Sequence, residues 1–396
     1  MAGTDRSGYY VHQPTGYSAF VPRPLPPAPA LDLGRMAGSL SRADQAVGRL
    51  DGTTRLLPDR DLFLAMYVRR EALLSSQIEG TECTLDDVLS FDLDPSAQGI
   101  PHVDVREVVN YIAAMSEGLA RLKTLPISSR LLREVHARLL AVGRGLDRQP
   151  GELRSSQNWI GPPGCSLSQA TFVPPPVDDM TEAMSDLEKF IAACAEPDGA
   201  LPLLVVCGLV HAQFETIHPF LDGNGRIGRL LITLLLCERE VLSAPVLYLS
   251  TYLRRERTAY FDLLTQVRFQ GDWEAWLEFF LEGVRETAVD ATETAQRINS
   301  LREDHRRGLE AAGATMNDLT LLDKLFTQPL VNARWVGDAL QVTPPTANAV
   351  LARFVKAGVL REMTGRARNR IFRFDDYLAL FDQPIVNRVQ DETGSS

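Results

Sequence analysis

Two apolar segments of helical length, residues 201–217 and 225–240, are separated by His218-Pro-Phe-Leu-Asp-Gly-Asn-Gly225, and this interruption constrains the chain more than any other stretch. The spacing predicts one helix ending at Ile217 and another starting at Gly225 or Arg226 and running to about Glu240. No packing argument requires the residues between them. Gly223 and Gly225 permit backbone conformations that turn successive N–H groups into one concavity, and the following helix adds its own unpaired N–H groups and positive dipole end. That combination is a phosphate cradle. Asn224 supplies amide donors between the glycines, and Arg226 and Arg229, three apart on the first turn, project toward the anion. Each cation at the positive end of a helix costs about 0.3 to 1 kcal/mol, so an anion is needed to offset them.

Asp222 is a hard oxygen ligand of the kind that holds Mg2+ jointly with nucleotide phosphates. His218, with an ordinary pKa of about 6.5, can take a proton from an attacking hydroxyl. Phe220 is expected to point inward and anchor the loop. The pattern Gly223-x-Gly225-x-x-Gly228 also matches a dinucleotide fingerprint, but that motif must follow a strand and an apolar helix precedes it here. His211 and His218 lack a third histidine or an H-E-x-x-H spacing, which argues against a metal pair and makes His211 a core residue.

A chain of 396 residues exceeds what one hydrophobic core usually fills, so one large unit and at least one smaller are expected. With 45% hydrophobic and 23% charged residues it is neither disordered, collagen-like nor coiled-coil. The formal charge of -10 excludes a protein that coats nucleic acid indiscriminately. Cys83, Cys165, Cys194, Cys207 and Cys237 are widely spaced and never form C-x-x-C, so no disulfide framework or zinc knuckle is expected and a reducing cytoplasm fits. No signal-like N-terminus or stretch long enough to span a bilayer is present, so no membrane partner is expected.

The expected fold class is mainly α. Residues 1–58, with Tyr9, Tyr10, Tyr17 and the proline-rich run Val21 to Pro29, read as an extended strap or as a tail presenting a proline ligand. Residues 59–100 form a helical region, in which Leu62, Phe63, Met66, Leu73, Leu74 and Ile78 return to one face, Gly80 sits at a C-cap, and Thr84 with Asp87 starts a second helix. The core is assigned to 101–298, with helices at 103–121, 128–142, 178–195, 251–267 and 273–297. Residues 154–160 and 170–173 read as a two-stranded hairpin flap closed by Pro174, Pro175 and Pro176, offering an edge to a partner peptide. A linker helix is placed at 299–314 and a disordered tail at 383–396.

Residues 315–382 resemble a winged helix-turn-helix, with helices at 330–340 and 343–358 and a hairpin of 359–363 with 370–374. Arg361, Arg366, Arg368, Arg370 and Arg373 against one Glu362 make the wing basic, so weak, salt-sensitive DNA contact and protein docking are both compatible with it.

Residues 218–229 fit H-x-F-x-[D/E]-G-N-G-R-x-x-R at every fixed position, and on that motif the chain resembles the Fic family of protein adenylyltransferases. Asp51-Gly, Glu71-Ala-Leu-Leu-Ser-Ser-Gln-Ile-Glu-Gly-Thr81, Phe172-Val-Pro-Pro-Pro176 and Tyr248-Leu-Ser250 look like the bacterial Fic proteins with an N-terminal regulatory helix. The resemblance implies a Fic-type helical core with a small β-hairpin flap. It implies transfer of AMP from ATP, with Mg2+, to a Ser, Thr or Tyr hydroxyl of a target protein docked on the flap at 154–176, or of the chain itself, and relatives often form homodimers.

His218 would then be the general base and Asp222 the Mg2+ ligand. Gly223, Asn224, Gly225 and Gly228 would belong to the nucleotide site, and Arg226 and Arg229 would meet the outer phosphates. A kinase branch carries Lys where Gly225 stands, which disfavours phosphate transfer. Ser75-Ser-Gln-Ile-Glu79-Gly80 resembles the inhibitory motif [S/T]-x-x-x-E-[G/N]. Ser75 and Glu79 share one helical face, so both can dock against the same site; the resemblance implies that Glu79 pairs with Arg229 inside the ATP site, in the place of the γ-phosphate. Relatives commonly carry Asn near the adenine, whereas this chain has Glu256, which cannot donate a hydrogen bond when ionised. A DNA-binding regulator with a Fic fold and a bifunctional enzyme that also removes AMP are the alternative functions.

Overall fold

The computed structural model describes residue 4 and residues 6–57, 60–96, 99–143, 145–162, 164–195, 201–366 and 368–382. The tail expected at 383–396 lies outside the described residues, as do Asp59 and the side chain of Leu62. At the centre are α7 (Leu203–Ile217), buried from Leu204 to Ile217, and α8 (Asn224–Glu238). A helix apolar all round is stable only inside a core, which is why α7 is enclosed by its neighbours α6 (Val177–Ala193), α8 and α11 (Trp273–Ala311). Around them pack α4 (His102–Arg121) and α5 (Ser129–Leu139), while α2 (Arg60–Ile78) crosses α4 and α9 (Leu249–Arg255). The helix α3 (Leu85–Leu93) begins at Thr84, whose hydroxyl and Asp87 form the expected capping box.

The N-terminal region is not the extended strap expected over 1–58. Strands β1 (Gly8–His12) and β2 (Ser18–Pro22) pair antiparallel, with Tyr10 opposite Phe20. Aromatic and β-branched residues flank a turn in which Gly16 adopts a φ of 89°, and the prolines that oppose strand formation come mainly after Pro22. Residues Leu33–Leu56 then form α1, capped by Asp32 and packed against α11 through Met36, Ala43, Val47 and Leu50.

Two further boundaries differ. The separate linker helix at 299–314 does not exist, because no proline interrupts 273–311 and α11 runs unbroken for 39 residues. The helix expected at 251–267 is broken at Glu256 into α9 and α10 (Arg257–Gln270). The flap is less regular than a hairpin ladder, with a single bridge among the described residues, between Ile160 and Phe172, since Pro162 and Pro174 to Pro176 cannot donate. Its second arm is instead joined to β2, where the Phe20 amide donates to Val173 O at 2.9 Å.

The C-terminal module comprises α12 (Met316–Leu325), β3 (Leu330–Asn332), α13 (Ala333–Leu340), α14 (Pro344–Lys356), β4 (Arg361–Glu362), β5 (Ile371–Arg373) and α15 (Asp375–Asp382), with sheet order β3-β5-β4. The helix expected from Leu330 thus yields its first three residues to a strand. The segment of β4 and β5 is less basic than its sequence, because Asp375 binds both Arg361 and Arg373, and Asp86 of α3 also accepts from Arg373 at 3.1 Å. Arg353 of α14 is tied to Asp318 at 2.7 Å. The module also touches α2, where Tyr67 meets Phe381 edge to face at 5.5 Å. Among the described residues no helix is long and apolar enough to cross a membrane.

Candidate active site

The chain leaves α7 at His218, whose φ of 51° and ψ of 60° are left-handed, a conformation costly for a residue with a side chain. Two flap residues that the sequence did not single out hold this turn. Arg154 Nε donates to His218 O at 3.0 Å and its amide donates to Pro219 O at 2.9 Å. Asn158 Nδ2 donates to His218 O at 3.2 Å and to Phe220 O at 2.8 Å. The flap and the loop are therefore one hydrogen-bonded unit.

Phe220 points inward and is fully buried, stacked on His136 with ring centroids 3.8 Å apart. His136 Nδ1 accepts from the Gly151 amide at 2.9 Å, so its proton is on Nε2, which lies 3.0 Å from Asp222 O and donates to it. Burial pushes the His136 pKa down to about 4, which keeps the ring neutral.

Asn224 does not offer its side chain to a phosphate as expected. Its Oδ1 accepts from the Phe220 amide and its Nδ2 donates to Phe220 O, both at 2.8 Å, so it closes the loop on itself. The Gly223 amide is likewise taken, by Asp222 Oδ1 at 2.6 Å. What the tip of α8 leaves open is the next three amides. Its first internal bond runs from Ile227 N to Gly223 O at 3.0 Å, so the N–H groups of Asn224, Gly225 and Arg226 have no partner among the described residues. Gly228 faces the other way, since a Cβ there would lie 2.4 Å from Glu215 Oε1. It is a close helix crossing of α8 on α7 and not a wall of the cradle.

The two arginines are divided between partners. Arg226 is buried with Nη2 3.4 Å from Asp222 Oδ1 and Nη1 3.9 Å from the Glu107 carboxylate. Arg229 is buried and reaches α2, donating from Nε to Ser75 Oγ at 2.9 Å and from Nη2 to Ser75 O at 2.9 Å and Glu79 Oε1 at 2.7 Å. A Cβ on Gly225 would fall 2.1 Å from Glu79 Oε1, so this carboxylate lies directly against the helix tip and only glycine leaves it room. Burial raises the Glu79 pKa, but the charge and hydrogen bond of Arg229 outweigh it and the net shift is downward. An anion already occupies the hollow.

Glu71, deep in α2, fixes that helix from behind by accepting from Ser250 Oγ at 2.5 Å. Asp222 is 41% exposed at the rim, available to a cation. Among the described residues no group of three or more His, Cys, Asp or Glu could hold a metal by itself. Glu256 is ion-paired with Arg255 at 2.8 Å, at the joint of α9 and α10.

His218 does not keep its ordinary pKa. Burial, then the charges of Arg268 and Arg154, lower it to about 3, so the imidazole is neutral at physiological pH. Arg268 lies over the Phe172 ring at 4.2 Å and donates to Glu215 O at 3.1 Å.

Residues 37–120 match the family model described as Fic/DOC family N-terminal, and residues 126–236 match the model described as Fic/DOC family. The chain belongs to the Fic/DOC family. The N-terminal match takes in α2 with Ser75 and Glu79, and the second takes in the flap, the His218 loop and most of α8. This Fic protein is similar to a probable protein adenylyltransferase of Aquifex aeolicus, 24% identical over 50% of this chain and 56% of that one. It is also similar to the protein adenylyltransferase Fic of Culex quinquefasciatus, 29% identical over 41% of this chain and 28% of that one. The chain thus spans about half of the first relative and little more than a quarter of the second. A solved Fic family protein from Desulfovibrio desulfuricans G20 shares the fold, with a TM-score of 0.54, 22% identity, and coverage of 86% of this chain and 95% of that one.

Proposed function

We propose that this Fic protein is a protein adenylyltransferase that transfers AMP from ATP to a hydroxyl of a protein, and that Glu79 holds it inactive. One observation carries the reading: a carboxylate from another helix is seated 2.7 Å from Arg229 and against Gly225, where the unpartnered amides of α8 point. A site that accepts a carboxylate there suits the outer phosphate of a nucleotide once Glu79 withdraws.

The chemistry follows from the chain's own groups. The neutral His218 accepts the proton of the target hydroxyl, whose oxygen bonds to the α-phosphorus while the bridge to the β-phosphate breaks and pyrophosphate leaves. The amides of Asn224, Gly225 and Arg226 receive phosphate oxygens, and Arg229, released from Glu79, pairs with the terminal one. Asp222, half-exposed beside this tip, fits Mg2+ as one carboxylate completed by phosphate oxygens, and the ion would neutralise charge on the leaving pyrophosphate. We read the C-terminal module as a winged helix that contributes little DNA affinity, because Asp375 and Asp86 engage Arg361 and Arg373.

The test uses ATP carrying a reporter on its α-phosphate. Glu79→Gly should become labelled or label a supplied protein faster than wild type, and His218→Ala in that background should abolish labelling. A folded Glu79→Gly variant that neither binds ATP nor transfers the reporter would refute the proposal.

A further inference from the structure

We infer that Arg154, assisted by Asn158, is the positioning residue that aims the His218 imidazole, by capturing the His218 carbonyl and fixing the left-handed turn that carries it. The inference deepens the adenylyltransferase reading and rests on it for its effect on rate, though not for its effect on the conformation of the loop.

Five residues other than glycine have positive φ among the described residues: Gln149, His218, Glu240, Gln341 and Asn369. Four of these are exposed, where water can satisfy the turned carbonyl; His218 is the exception. Its carbonyl needs protein donors, and it receives two, Arg154 Nε at 3.0 Å and Asn158 Nδ2 at 3.2 Å. Such a left-handed residue is unfavourable and persists only when its surroundings impose it.

Arg154 is 1% exposed, and its guanidinium makes no ion pair among the described residues. It donates only to carbonyls: Nε to His218, Nη1 to Ser156 at 3.2 Å and Nη2 to Pro175 at 2.5 Å. Burying a cation among neutral acceptors is expensive, and an apolar residue would fill the same space more cheaply. The planar fork accounts for the choice. It reaches the start of the flap, the end of the flap and the loop at once, a geometry that the single ammonium of lysine does not reproduce. The charge it brings also lowers the His218 pKa, second to burial and Arg268. Burial lowers the pKa of Arg154 itself to about 10, so the group stays protonated at neutral pH.

Three variants in the Glu79→Gly background test this: Arg154→Lys, Arg154→Met and Asn158→Ala, each checked for folding by thermal melting. With Arg154→Lys the AMP-transfer kcat should fall about tenfold or more while the KM for ATP moves less than about threefold, since misplacing a reacting group costs rate and the cradle on α8 is untouched. Asn158→Ala, which keeps the buried cation, should show the same split at smaller size, and it replaces the lysine variant if that fails to fold. Independently of any activity, histidine NMR should show the His218 pKa rising by about half a unit or more in Arg154→Met, because a nearby positive charge is gone. A kcat unchanged in Arg154→Lys and Asn158→Ala, or a loss expressed wholly through KM, overturns the inference. So does a His218 resonance unmoved in Arg154→Met. If Glu79→Gly itself transfers nothing, the adenylyltransferase reading fails while the NMR arm still decides whether Arg154 sets the state of His218.

Discussion

Arginines gather at two places in this Fic protein and are neutralised in different ways. At the tip of α8, Arg229 is held by Glu79, a residue 150 positions away at the end of another helix, whose side chain is 38% exposed against 2% for the arginine. In the C-terminal module, Arg373 is held by Asp375, two positions away, and Arg361 shares the same aspartate. The first counter-ion belongs to a different element and is open to water on one side. The second is built into the turn that presents the arginines and travels with them. Counting cations therefore predicts binding poorly; what matters is whether the carboxylate that neutralises them can be displaced without unfolding what carries it.

The largest effect that tests this contrast is at the α8 tip. His218→Ala in the Glu79→Gly background should lower AMP transfer by about 10²–10⁴-fold, the usual contribution of a general base, read by reporter labelling. Next, Glu79→Gly alone should raise labelling by about 5- to 150-fold, the range of an ordinary coupling between two ligands of one site, and a calorimetric titration should show tighter ATP binding. An unchanged affinity would mean that Glu79 is as permanent a partner as Asp375. At the other end, Asp375→Asn frees Arg361 while Arg373 keeps Asp86, and retention on immobilised duplex DNA should rise with a salt slope steeper by about one phosphate contact. Equal retention before and after would show that the local pairing is not what keeps these arginines from DNA.

A smaller effect distinguishes the surroundings of the loop by pH. His136 and His211 are pushed by burial to about 4, and His218 to about 3, all below the unfolded value. A depressed histidine contributes stability that is present above about pH 6.5 and lost as pH falls, at up to about 1.4 kcal/mol per unit each. Glu215, raised by burial to about 7, acts in the opposite sense between about 4.5 and 7, offsetting one of the three. The melting temperature should thus fall from pH 6.5 toward 4.5, and a flat profile would show that these rings are not neutral in the folded state.

Much of the helical core was legible because its apolar residues recur with helical period, and α4, α6, α7 and α8 begin and end within about two residues of expectation. The N-terminal region was not. In α1 the buried Met36, Ala43 and Val47 are interleaved with glycine, serine and arginine, so periodicity is faint behind a run of prolines that dominates the eye. The break at Glu256 and the continuity of α11 past Arg297 have no strong punctuation, since neither proline nor a required glycine marks them. At the site, His218 to Arg229 is contiguous and so readable, whereas the contact of Glu79 with Arg229 was expected only from the resemblance of residues 75–80 to an inhibitory motif. Arg154, Asn158, His136 and Glu71 come from separate segments, and each looks ordinary until the fold brings it to the loop. Gly228 misled for a physical reason: a glycine that lets a backbone approach a phosphate and one that lets two helices cross leave the same mark in sequence.

The unbroken α11 has a mechanical consequence. At 1.5 Å per residue its 39 residues make a strut about 58 Å long, stiffened along its first part by α1 and ending beside α12 and α15. A strut has no elbow. The C-terminal module rests against the far end of this rod through α12 and α15, and its Phe381 meets Tyr67 of α2, the helix that ends one residue before Glu79.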